Sequence, residues 1–431
     1  MLLRTSSGLS RAISREWRQL LDSLRSSLYV SSFCLIGTNI VNAVFGFLFW
    51  AGAAHLYAPR EVGLVAAAVS AIGLLAMVST LGLDYAMIRF LPHADNPQRI
   101  INSSLTIGTG AALALSVVFV EGAGIWSPVL RPSRASLVFV AALVIGAVLT
   151  TLLGLLESIF LSRKRTNLVL AQSSVFGATK VVSAVVLAAV GRPVGLIGAW
   201  VLGLGAAVGC GLAVFLPRVE NRRHQLRLAV SRAVVNDMTH FAFANYISTV
   251  LWTAPTFLLP LLVAHIAGSE ANAYFYVAFS ISGLLSVIPT AVSLSLFAHG
   301  SHDEGELVQL TFASLRFSLG LLVLAVGIIF IVGGKLLLLF GRAYSVQATG
   351  LLFLLALSAV PIAVNSLYFS VRRVQNRMDQ VLTCMGLILV VTLGLSFILL
   401  PRVGLIGAGV AWLTAQCSVA VLIVGLYLLR P

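Results

Sequence analysis

Charge is scarce in this sequence. Only 10% of its 431 residues are Asp, Glu, Lys or Arg, against roughly 25% in a soluble domain, so a water-facing surface of ordinary size cannot be covered. Cysteine is nearly absent, and Cys34, Cys210, Cys384 and Cys417 stand far apart inside apolar runs. That pattern excludes a metal or disulfide framework and leaves them as small packing residues. There is no Asp-x-Asp pair, nucleophile elbow, metal-ligand cluster or phosphate-binding glycine loop. The usual signatures of a membrane glycosyltransferase, a saccharide polymerase or any other catalyst are therefore missing, and neither a catalytic residue nor a cofactor is expected. Residues 1–27 lack the apolar core of a cleaved signal peptide.

What the sequence has in abundance is apolar length. The hydrophobic fraction is 59% and the mean hydropathy +1.01. Apolar runs of about 20 residues recur throughout, each long enough to cross a hydrocarbon core of about 30 Å. The expectation is an all-α polytopic membrane protein with about twelve transmembrane helices. The expected helices one to six run over 28–51, 62–91, 101–122, 136–161, 168–190 and 195–216. Helices seven to twelve run over 240–265, 271–298, 308–333, 347–370, 377–400 and 404–428. Residues 1–27 carry Ile13, Trp17, Leu20, Leu21 and Leu24 at helical spacing among arginines, which suits an amphipathic helix on the inner leaflet or a frayed tail. The bundles then cover 28–216 and 240–431, joined by a basic linker at 217–239.

The net charge of +14 does not mark a nucleic-acid protein, because the bases lie in short loops rather than on one patch. Instead they set topology. With the N-terminus inside, 18 of the 28 Lys and Arg fall on the cytoplasmic side and 7 outside. The remaining three, Arg89, Lys180 and Arg316, lie within spans. Both termini are then cytoplasmic and the membrane is the cytoplasmic one. The acidic loop 299–306 departs from the pattern, but acids weigh little in topology.

An internal repeat runs through the chain. Gly195-Leu196-Ile197-Gly198-Ala199 returns 209 residues later as Gly404-Leu405-Ile406-Gly407-Ala408. The same offset pairs Glu61 with Glu270, Asn167 with Asn376, and Arg163 with Arg372. Six helices on each side of the linker give both halves one orientation, so a pseudo-twofold axis along the membrane normal should relate them.

These features resemble the multidrug/oligosaccharidyl-lipid/polysaccharide (MOP) exporter superfamily, on its polysaccharide-flippase branch. The resemblance is carried by the Gly-Leu-Ile-Gly-Ala openings of helices six and twelve and by Gly82-Leu83-Asp84-Tyr85-Ala86-Met87-Ile88-Arg89-Phe90 closing helix two. The basic turn after helices four and ten and the six-plus-six plan complete it. The resemblance implies an alternating-access transporter that moves a polyprenyl-pyrophosphate-linked oligosaccharide across the cytoplasmic membrane for cell-surface polysaccharide assembly. A polymerase or glycosyltransferase could be its partner, and H+ or Na+ its coupling ion. A cation-coupled multidrug exporter of the same superfamily is the alternative. A non-transporting scaffold, or a membrane glycosyltransferase or polymerase, is the second alternative.

Ionisable groups at membrane depth are costly and so are functional candidates. Lys180, Arg89 and Arg316 could draw in the pyrophosphate, with Asp84 and Glu157 balancing the empty cavity or taking a coupling proton or cation. The offset of 209 pairs Asp84, Arg89, Glu157 and Lys180 with Ser293, Ala298, Ser366 and Leu389. None is charged, so the first half is specialised. The plainer alternative has Arg89 and Arg316 reaching the headgroups and Lys180 neutralised by Asp84 or Glu157. Asn39, Asn42 and Asn245 could line the cavity or bond between helices. Pro255 and Pro260 permit a bend in helix seven.

Overall fold

The computed structural model describes the backbone of residues 27–126, 136–189, 193–220, 227–228, 230, 232–300 and 307–428. Residues 1–26 of the amphipathic segment, 221–226, 229 and 231 of the linker and 301–306 of the acidic loop lie outside the described residues, as does the side chain of Asn245. No strand occurs among the described residues.

Eleven described helices are long and apolar enough to cross a membrane. One of them, Tyr246–Phe297, is 52 residues long, more than twice the roughly 20 that one crossing needs. Gly268 breaks it, with φ 91° and ψ 169°, a conformation that glycine alone adopts readily. Counting its two arms as helices seven and eight yields the expected twelve.

The helices are Ser27–Leu56 (one), Pro59–Ser79 with Leu83–Phe90 (two), Pro97–Trp126 (three), Leu137–Ser162 (four), Thr166–Val186 (five) and Val194–Val219 (six). Helices seven and eight occupy 232–267 and 269–300. Helix nine is Leu307–Leu338, ten Arg342–Val374, eleven Met378–Val403 and twelve Leu405–Leu428. An even number of crossings places the start of helix one and the end of helix twelve on one face, here the near face; the opposite one is the far face.

Several helices are broken inside the bundle. Helix two is interrupted at 80–82, where Leu81 and Gly82 take φ of 50° and 77°. Helix eight is interrupted at Ser286 and helix ten at Ser358. The sequence reading drew helix two as one continuous span, because nothing in an apolar pattern registers a single left-handed turn. In lipid, irregular backbone survives only where protein or a water-filled cavity satisfies it; Ser286 and Ser358 accordingly line a cavity, while Leu81 in the break of helix two is exposed.

The two halves meet along helix two. Asn272 on helix eight donates to the Gly63 carbonyl at 2.8 Å, across a separation of 209 residues. Residues matched by the repeat touch each other, as a twofold axis passing between helices two and eight requires. Elsewhere the register differs from the sequence repeat. In the turn after helix four, Arg165 N–H bonds the Phe160 carbonyl; after helix ten, Arg377 N–H bonds that of Arg372. Lys164 and Asn376 hold the positive φ of those turns, 56° and 54°. All these pairs are 212 apart. Glycine backbone contacts agree: a Cβ at Gly195 would strike the Leu187 carbonyl, and one at Gly407 that of Leu399. Structurally, then, Gly195-x-x-x-Ala199-Trp200 matches Gly407-x-x-x-Ala411-Trp412, and the pairing of Arg163 with Arg372 is corrected. Arg372 is a buried helical residue that donates to Gln375 at 2.7 Å.

Arg163 instead bonds Glu220 at 2.9 Å, tying the near-face ends of helices four and six. Its side chain is 25% exposed and that of Glu220 10%, so the pair should contribute about 1 kcal/mol or less. Glu220→Gln is expected to lower the melting temperature by only a few degrees, measured on purified protein in detergent.

Candidate functional site

Lys180 sits about 9 Å from the far-face end of helix five, at 1.5 Å per residue. Helix one brings Phe49 to it, helix five its own Phe176 one turn back, and helix six Trp200. The ammonium lies 4.3 Å from the Phe176 ring centroid, 4.7 Å from Trp200 and 5.7 Å from Phe49. Only 4% of the residue is exposed. No carboxylate pairs with it among the described residues, so the proposed neutralisation by Asp84 or Glu157 does not occur in this conformation. Aromatic faces do that work: a desolvated cation–π contact is worth about 2 kcal/mol. Gly203 lets helix six come this close, since a Cβ there would lie 2.9 Å from Lys180 Cβ.

The other sequence candidates are not gathered around Lys180. Asp84 and Arg89 share the short helix Leu83–Phe90 below the break in helix two, nearer the near face. Asp84 is half-buried, and its Oδ1 is buried without a hydrogen bond. Arg89 is exposed, 5.9 Å from the Phe90 ring. Glu157 is half-buried on helix four, and Arg316 is exposed on helix nine. Asn39 and Asn42 are exposed on helix one. Asn42 lines a cavity of about 200 Å³ between the halves, with Trp50, Ser280, Leu284 and Phe340.

That cavity is closed toward the far face by contacts between halves. Phe47 meets Phe340 edge-on at 5.1 Å, and Trp50 meets Tyr276 at 4.8 Å. Trp50 also lies 6.2 Å from Trp200, so the Lys180 cage stands directly behind the wall of the cavity. Toward the near face the halves join through hydrogen bonds instead. Tyr246 donates to the Val78 carbonyl at 2.8 Å, and Tyr85 and Thr249 share a bond of 2.9 Å. Within the second half, beside these junctions, Arg373 donates to Ser248 at 3.2 Å.

The sequence reading missed the cage and these junctions. Phe176 was visible at i−4 from Lys180; Phe49 and Trp200 come from other helices, and periodicity does not say which helices neighbour each other. A second cavity, of about 270 Å³ within the second half, was likewise missed.

The polysaccharide biosynthesis protein family profile matches residues 28–297, more than half of the chain. No curated protein matches it. Among solved structures, the chain is similar to the lipid II flippase MurJ in an inward closed conformation, at 12% identity and a TM-score of 0.74, covering 92% of this chain and 87% of that one. It is also similar to an inward-facing multidrug resistance MATE family transporter of the MOP superfamily, at 14% identity and a TM-score of 0.69, covering 90% and 96%. A third is a MOP superfamily transporter from Pyrococcus furiosus, at 15% identity and a TM-score of 0.59, covering 93% and 94%. At these identities the likeness is one of fold.

Proposed function

We propose, from the premise that this chain belongs to the polysaccharide biosynthesis protein family, that it is an alternating-access flippase for a polyprenyl-pyrophosphate-linked oligosaccharide. The membrane would be the cytoplasmic one, with both termini inside and the far face outside. The observation that carries the reading is Lys180: a cation inside the membrane that no carboxylate among the described residues neutralises. An anionic cargo supplies the missing charge, whereas a cationic drug would find repulsion there.

Lys180 is withdrawn from the cavity in this conformation, so it acts when the halves move. A hydrogen bond from an ammonium to a phosphate is worth about 1.5–3 kcal/mol, against about 2 kcal/mol for the aromatic cage. The two are close enough for the side chain to exchange between cage and pyrophosphate without a deep trap on either side. The far-face aromatic contacts Phe47–Phe340 and Trp50–Tyr276 are the gate that must open for release outside. Arg89 and Arg316 add positive charge along the entry route. Asp84, whose Oδ1 has no hydrogen-bond partner, and Glu157 are the groups able to take a coupling H+ or Na+. Asn39, Asn42 and Asn245 contact sugar hydroxyls, and a polymerase or glycosyltransferase receives the product.

Lipid extracts from cells depleted of the protein test this. Polyprenyl-pyrophosphate oligosaccharides are expected to accumulate severalfold by mass spectrometry and to clear when the wild type is restored. An unchanged lipid-linked pool, together with lost efflux of cationic dyes, would establish the multidrug exporter in its place.

A further inference from the structure

The repeat register of 212 places the Lys180 cage opposite a void. Phe176, Lys180 and Trp200 of the first half correspond to Ile388, Thr392 and Trp412 of the second. The tryptophan is kept, while the ring and the long cation become an isoleucine and a threonine. Beside Ile388 and Trp412, both of which line it, lies the cavity of about 270 Å³, bordered by helices seven, eight, ten, eleven and twelve. At about 30 Å³ per water in the liquid, its capacity is on the order of nine waters, the scale of one sugar ring rather than of a lipid tail.

Its chemistry is uncharged and polar. No Asp, Glu, Lys, Arg or His lines it, so neither a metal cation nor a pyrophosphate finds a counter-charge. Two tryptophans, Trp252 and Trp412, supply flat apolar faces. Gln416 is the fixed donor. Asn365, fully buried, donates to the Gln416 side-chain oxygen at 2.9 Å and to its backbone carbonyl at 3.1 Å. That holds the amide oxygen and leaves the Gln416 Nε2 hydrogens without a protein acceptor among the described residues. The hydroxyls of Thr253, Thr256 and Ser286 likewise bond no protein group among the described residues. An acceptor stands beside them: Pro255 has no N–H to bond the carbonyl of Leu251, which lines the cavity. The Trp412 N–H is already committed, to Ser358 at 3.0 Å, so that ring offers a face rather than a donor.

Donors, acceptors and aromatic faces converging on an uncharged pocket suit a ligand that carries both kinds of hydrogen-bonding group on a ring with apolar faces. We propose that this cavity is a saccharide subsite that takes one uncharged sugar ring. The inference rests on the flippase reading: the first half holds the buried cation for the pyrophosphate, and this cavity of the second half adds a subsite for the glycan. The division of labour follows the repeat: the ring and tryptophan that cage a cation in the first half correspond to an isoleucine and a tryptophan that line a cavity in the second.

The test uses the full-length protein in lipid nanodiscs. Its probes are a panel of uncharged hexose and N-acetylhexosamine disaccharides and, separately, polyprenyl pyrophosphate without sugar. Calorimetry and tryptophan fluorescence read the binding. At least one disaccharide is expected to bind, and Gln416→Met to weaken it about three- to tenfold, with the sugar-free lipid bound as before. Thr256→Val, at an exposed position, should weaken sugar binding in the same direction and serves if Gln416→Met does not fold. Sugar binding unchanged in both variants overturns the subsite, as does a protein that binds the lipid pyrophosphate and no disaccharide; in either case the flippase reading stands. A protein that binds neither probe overturns both.

Discussion

Replacing Lys180 with methionine is expected to leave the protein as stable as the wild type or more so, while transport falls about tenfold or more. The opposite signs follow from what surrounds the ammonium. It is 4% exposed, and among the described residues the rings of Phe49, Phe176 and Trp200 face it without a carboxylate. A buried charge without a counter-ion costs folding free energy, and replacing buried charge by an apolar side chain of similar volume is often neutral or stabilising. Methionine keeps the length of the lysine stem, and its sulfur packs well against aromatic rings. Transport loses the charged donor of the cage, and one lost charge-assisted bond of 1.5–3 kcal/mol corresponds to roughly ten- to a hundredfold. Initial flipping rates in proteoliposomes and melting temperatures in detergent check both signs together. A variant that melts lower and transports normally would reduce Lys180 to a packing residue.

How much of this was legible beforehand differs from element to element. Helix number, order and approximate limits followed from apolar length, because a bilayer imposes one length on every span. The facing of each helix did not, because a helix that is apolar all round has no stripe to show which side meets a neighbour. For that reason Lys180 was found as a charge out of place, while two of its three ring partners were not. The repeat was legible, but its register slipped. Gly195-Leu196-Ile197-Gly198-Ala199 matches Gly404-Leu405-Ile406-Gly407-Ala408 letter for letter, yet the glycine that packs against the preceding helix is Gly407, as Gly195 is in the first half. Small residues every few positions make such three-residue slips easy to read as identity. The slip also concealed that Trp200 and Trp412 are equivalent, and with that the contrast between a filled and an open position. Pro255 is read from the sequence as permitting a bend; that the carbonyl it frees lies beside a cavity needed the neighbouring helices in place.

The second large effect is expected at Gly63. Gly63→Val should lower stability by about 2–4 kcal/mol, the sum of overpacking and a lost buried hydrogen bond, and should open the far face. A Cβ on Gly63 would land on the carbonyl of Ser269, with the Ala273 amide nitrogen just behind it at 2.8 Å. Both obstacles are backbone, so no side chain can swing aside, and helices two and eight must separate. Separation would also stretch the bond from Asn272 to the Gly63 carbonyl, which is 2.8 Å long and fully buried on the asparagine side. Because this contact lies where the two halves meet themselves across the repeat, parting it moves one half against the other. A cysteine placed at Trp50, buried against Tyr276, should then react with a membrane-impermeant thiol reagent severalfold faster in the Gly63→Val background. Gly52→Ala is the control: nothing lies within 4 Å of a Cβ there, and alanine in a helix is worth about 0.5–1 kcal/mol over glycine, so stability should hold or rise and labelling should not change. If both variants label alike, the far face is held shut by the aromatic contact Phe47–Phe340, which the cysteine at position 50 leaves in place, rather than by the close approach of helices two and eight.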